Sequence, residues 1–121
     1  MTSLLPYVAP AGLEAVKRLV LNAVSSPSTR TVYAKALDDF FRWWAEQGSP
    51  LFSRAVVQAH RAALESRGLA PSTINQRLSA IKKLAREAAA NELIEAAVAA
   101  AIDQVPGVKQ QGIREIGRAH V

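Results

Sequence analysis

The sequence contains no cysteine, which removes disulfides, thiolate metal sites and cysteine nucleophiles together and fits a reducing compartment. Aromatic residues make up only 6%, and the six glycines and six prolines fall mainly between periodic segments. With alanine abundant, that balance favours a helical bundle over a sheet. Long apolar runs are missing. The longest, Ala96–Ile102, is far short of the roughly 18–20 residues a membrane span requires. The opening MTSLLPYVAPAG has neither a basic n-region nor a sustained apolar core, so no signal peptide is expected. Glycine-rich phosphate loops, carboxylate clusters and nucleophile elbows are absent as well. His60 stands alone in a helical segment, without a second histidine, cysteine or carboxylate at ligand spacing. The expectation is a cytoplasmic protein with no cofactor, no metal, no membrane and no small-molecule substrate.

What is present is positive charge in one place. The net charge is +5 over 121 residues. Ten cations and five anions between Ser28 and Glu87 account for all of it. A basic middle of this kind fits nucleic acid or an anionic membrane surface. At 13.0 kDa and 50% hydrophobic content, the chain is long enough for one modest core: one domain plus tails.

Apolar periodicity predicts five helices. Ala11–Val24 spaces Leu13, Val16, Val20, Leu21 and Val24 on one face. After SSPST, with Pro27 opening the element, Ser28–Gln47 carries a wide arc of Val32, Tyr33, Ala36, Leu37, Phe40, Phe41, Trp43 and Trp44. Its aromatics are read as core rather than stacking platforms. Arg54–Arg67 follows, with Ser53 as cap and Gly68 as stop. A fifth helix is expected over Asn91–Gln104, with Asn91 as its N-cap and Pro106-Gly107 ending it. No internal repeat is found.

The fourth segment, Leu69–Ala88, is the most telling. Pro71 suits a first helical position, and Ser72 or Thr73 can help cap the first turn. Ile74, Leu78, Ile81, Leu84, Ala85 and Ala88 share one face. Ser72, Asn75, Gln76, Ser79, Lys82, Lys83 and Arg86 share the other, with no carboxylate before Glu87. A merely solvated face usually mixes both signs, so this one reads as a surface for a polyanion. The plainer readings are an ordinary solvated face for Lys82, Lys83 and Arg86, an exposed polar residue for Gln76 and a structural ion pair for Arg77.

Two motifs carry a family resemblance. TRTVYAKALDDFFRWWAEQG holds Thr29, Tyr33, Leu37 and Phe40, and SRGLAPSTINQRLSAIKKLAREA holds Gly68, Leu69, Thr73, Ile74, Arg77 and Leu78. In order and spacing they resemble the N-terminal core-binding domain of tyrosine recombinases, the phage-integrase superfamily, over roughly Leu13–Gln111. The resemblance implies an all-α, SAM-like orthogonal bundle of four to five helices. It implies a domain lying across duplex DNA, closed into a C-shaped clamp by a catalytic domain on the opposite side.

In such domains the second and fourth helices meet the major groove. Carried over, Ser28, Thr29, Thr31 and Lys35 of the second helix are DNA-binding candidates, with Ser72, Thr73, Gln76, Arg77, Lys82, Lys83 and Arg86 of the fourth. The chemistry agrees. Glutamine can pair bidentately with an adenine edge, hydroxyls and helix N-termini bind phosphate, and lysine adds sequence-independent attraction. The first and fifth helices would touch neighbouring recombinase protomers.

The family's nucleophilic tyrosine, with its arginines, lysine and histidine or tryptophan, belongs to the catalytic domain. Tyr7 and Tyr33 do not match it, and this chain by itself is expected not to be an enzyme. The expected organisation is a core-binding domain over 1–105, the start of an interdomain linker over 106–114, and a non-native tail over 115–121. That tail, EIGRAHV, resembles the translation of a sequencing adapter; the alternative is a genuine linker. Two other functions remain open: a helix-turn-helix transcription regulator, and a helical protein-interaction module whose basic face docks an acidic partner.

Overall fold

Five helices make up the computed structural model, which describes residues 10–109: α1 (Pro10–Asn22), α2 (Pro27–Glu46), α3 (Arg54–Ser66), α4 (Pro71–Ala90) and α5 (Ala96–Asp103). No strand occurs among the described residues, so the fold is the expected all-α class. Its hub is α4, which packs against each of the other four helices. Around it, α1 meets α2, α2 meets α3 and α3 meets α5, whereas α1 and α5 do not touch. One side of α4 stays open, with Ser72, Gln76, Ser79 and Arg86 exposed. The hub's buried residues, Ile74, Leu78, Ala80, Ile81, Leu84, Ala85 and Ala88, form the expected apolar face, with Ala80 added. Small alanines there let neighbouring helices approach closely, while the larger side chains interlock with theirs.

Phe40, Phe41, Trp43, Trp44 and Phe52 are gathered at one place. Phe40 lies with its ring centroid 5.6 Å from Trp44, 6.0 Å from Phe52 and 5.1 Å from His60. Trp44 is fully buried and its indole N–H donates to Pro50 O at 2.8 Å, so its one polar atom is satisfied. Val32, expected in the apolar arc, is instead exposed near the start of α2.

Local chemistry sets the helix ends. The Ser26 hydroxyl accepts from Thr29 N–H at 3.3 Å before Pro27, and Ser53 accepts from Val56 N–H at 3.4 Å. Gly48, with φ of 85°, terminates α2, and Ser49 N–H donates back to Trp44 O at 3.0 Å. In α4 the N-cap is Ala70, with no side-chain capping bond; neither Ser72 nor Thr73 caps it, because both already lie inside the helix.

The expected fifth helix is corrected at its start. Asn91 is the C-cap of α4 rather than an N-cap, and its side-chain amide donates to Glu87 O at 2.8 Å. Glu92 takes a left-handed φ of 61°, and Leu93 N–H donates to Ala88 O at 2.8 Å. This is a Schellman closure, and it ends the helical path before α5 begins at Ala96. Leu93 and Ile94 still pack on the core, which is why their helical spacing misled. No described helix is long and apolar enough to cross a membrane.

Candidate nucleic-acid interface

The open side of α4 presents Ser72, Gln76, Ser79 and Arg86 to solvent, with Lys83 half-buried among them. These positions follow one another at three- and four-residue steps, so they form a single stripe. It contains no carboxylate. Lys83 has no hydrogen-bond or ion-pair partner among the described residues. At the head of the stripe, the helix start lacks both a side-chain cap and an acidic residue, leaving its first N–H groups and positive dipole end uncompensated.

Three of the expected contact residues on α4 are engaged within the domain. Arg77 donates to Asp39 Oδ2 at 2.7 Å and is only 16% exposed, the ion-pair alternative. Lys82 donates to Val105 O at 2.7 Å. Arg86 meets Asp103 at 3.2 Å, but both side chains are more than half exposed, so this pair is weak and leaves the guanidinium accessible. Thr73 is half-buried.

On α2, Ser28 and Lys35 are exposed, and Lys35 has no partner among the described residues. The Ser28 hydroxyl lies 3.0 Å from that of Ser26. Thr29 is half-buried and bonded to the cap, whereas Thr31 donates its hydroxyl to Pro27 O at 3.1 Å. The intervening Arg30 points elsewhere: its guanidinium closes the end of α1 through Leu21 O at 3.1 Å and Val24 O at 2.8 Å.

Past α5 the chain stays on the domain. Asn75 donates to Val108 O at 2.9 Å and accepts from Val108 N–H at 2.7 Å, while Arg61 reaches Gly107 O at 3.4 Å. The segment expected to begin a linker at 106 therefore lies against α4 through residue 108. Residues 110–121, including the expected tail, lie outside the described residues.

Sequence reasoning missed a polar centre beside the core. Asp39 of α2, 15% exposed, receives Arg77 of α4, Arg67 at the end of α3 at 2.9 Å, and Arg42 of α2 at 3.6 Å. Next to it His60 is fully buried against Phe40 and Trp43, and neither ring nitrogen has a partner among the described residues. Burial pulls its pKa down to about 4; Asp39 opposes that shift, and Arg67 and Arg77 reinforce it. The available signal was spacing, since His60 continues the inward line of Val56, Val57 and Leu64. Among the described residues no group of three His, Cys, Asp or Glu could hold a metal.

Comparison with known proteins identifies the family of the domain. The family model for the phage integrase N-terminal SAM-like domain matches residues 16–92. A tyrosine recombinase of Synechococcus elongatus is 34% identical over 91 residues, covering 65% of this chain and 28% of the relative. A tyrosine recombinase of Synechocystis sp. is 45% identical over 71 residues, covering 49% of this chain and 23% of the relative. The chain thus spans about a quarter of the length of these curated relatives. No solved structure gives a significant match. With α2, α3 and α4 and the motifs of α2 and α4 inside the matched span, the chain belongs to the phage integrase N-terminal SAM-like domain family.

Proposed function

We propose that this domain is the core-binding part of a site-specific tyrosine recombinase and that it holds duplex DNA. The observation that carries the reading is the unpartnered Lys83 on an exposed, carboxylate-free stripe of α4. Lys83 and Arg86 supply attraction to phosphates, and the uncapped helix start favours a phosphate near Ser72. Gln76 is the residue of the stripe able to read a base edge. From α2, Ser28 and Lys35 extend the contact; Thr29 and Thr31 border it. Arg77 and Lys82 act indirectly, by holding α2 and the segment after α5 against α4. A catalytic domain elsewhere in the parent enzyme would close the clamp and perform strand cleavage.

Anisotropy of a labelled duplex titrated with this chain, repeated over a range of salt concentrations, tests the reading. Binding should weaken steeply with salt, and Lys83→Glu should reduce affinity and flatten the slope by about one phosphate, roughly 0.9 in log K against log salt. Absence of binding at low salt overturns it and favours a protein-interaction module. Tight, sequence-selective binding as a dimer favours a self-sufficient repressor.

A further inference from the structure

We propose that Arg42 and Arg67, oriented by Asp39, form a second phosphate-binding point for a backbone phosphodiester of the bound duplex. This rests on the DNA reading above and adds a contact outside the α4 stripe. Three guanidiniums surround one carboxylate, giving the cluster a local charge of about +2 in the simplest accounting. The structural requirement is met by one of them. Arg77, nearly buried and 2.7 Å from Asp39, already joins α4 to α2 and neutralises the carboxylate.

Arg67 and Arg42 are surplus to that pairing and face outward, at 40% and 59% side-chain exposure. Arg67 spends one N–H on Asp39, and Arg42, at 3.6 Å, makes no hydrogen bond among the described residues. Among the described residues no second carboxylate lies within ion-pair distance of either. Asp38 pairs with Lys17 and Glu65 faces Arg61, while Glu46 makes no ion pair among the described residues. His60 beside the cluster is neutral near pH 7 and adds no further positive charge.

Planar guanidinium forks with free donors match a phosphate oxygen pair, and holding Arg67 on Asp39 reduces the side-chain entropy lost on binding. Arg42 also lies two helical turns beyond Lys35 on the same face of α2, with Asp39 between them.

The test compares the salt dependence of duplex binding for the unaltered chain, Arg42→Ala, Arg42→Lys, Arg67→Ala and Lys83→Glu. Arg42 makes no hydrogen bond, so Arg42→Ala keeps the fold, which circular dichroism verifies, and carries the test even if Arg67→Ala loosens the cluster. The proposal expects each alanine variant to lower the slope by about 0.9. Arg42→Lys should keep the slope but lose affinity, because a point charge replaces a fork. An unchanged slope in Arg42→Ala, with Lys83→Glu still weakened, overturns the second point and leaves the first reading standing. A weakened Arg42→Ala beside an unaffected Lys83→Glu supports the cluster and overturns the role of the α4 stripe. No binding by the unaltered chain overturns both.

Discussion

Arg77 Nη1 donates to Asp39 Oδ2 at 2.7 Å, with both side chains about 15% exposed, and this bond pins the first half of α4 to the middle of α2. The two helices expected to meet DNA are therefore fixed relative to each other by an ion pair screened from solvent. Such a pair is costly to break from one side, because the remaining charge stays partly desolvated.

The two sides are not equivalent. Asp39→Ala leaves three guanidiniums facing one another, whereas Arg77→Ala leaves Asp39 still paired with Arg67. Urea unfolding should show a loss of about 3 kcal/mol for Asp39→Ala and about half that for Arg77→Ala. Equal losses would mean that Arg67 and Arg42 do not sense the carboxylate.

His60 makes stability depend on pH with a definite sign. Its folded pKa of about 4 lies below the ordinary 6.5, so between those values the unfolded chain binds the extra proton. The contribution is fully present above about pH 6.5, declines as pH falls, and is lost once pH passes below about 4. Its size is on the order of 3 kcal/mol from the shift. His60→Leu should flatten the urea midpoint between pH 6.5 and 4 relative to the unaltered chain. A parallel decline in both proteins would assign the acid sensitivity to other groups.

A side chain at Gly107 would displace Asn75. A Cβ there would lie 2.6 Å from Asn75 Oδ1, the atom that accepts Val108 N–H. Gly107→Ala and Asn75→Ala should each cost about 1–2 kcal/mol by releasing the same pair of hydrogen bonds. Their effects should overlap in a double-mutant cycle, the double variant losing little more than either single one. Additive losses would show that the close approach and the Asn75 bonds are independent.

Glu92 ends α4 in a left-handed conformation that glycine adopts without a Cβ penalty. Glu92→Gly should raise stability by about 0.5–1 kcal/mol, read as a higher midpoint in thermal unfolding, with helicity unchanged. A lower midpoint would show that the unfolded-state entropy of the new glycine outweighs the relieved strain.

The spacing of apolar residues in the sequence determined the helices and the inward faces of α2, α3 and α4, because burying one face of an α-helix repeats apolar residues at its 3.6-residue turn. Pro27 with α2, Pro71 with α4, and the Ser53 cap were legible for the same local reason. So was the family, from the ordered motifs on α2 and α4. The start of α5 was not legible: Leu93 and Ile94 keep helical spacing while a left-handed Glu92 has already turned the chain.

Which cations are free was decided only by the tertiary structure. Lys82 and Lys83 are neighbours in sequence, yet one is bonded to Val105 O and the other has no partner among the described residues. Asp39 gathers Arg67 and Arg77 across 28 and 38 positions of chain. Charge pairing depends on distances of a few ångströms between side chains on different helices, and those distances exist only after α4 has been packed against its neighbours.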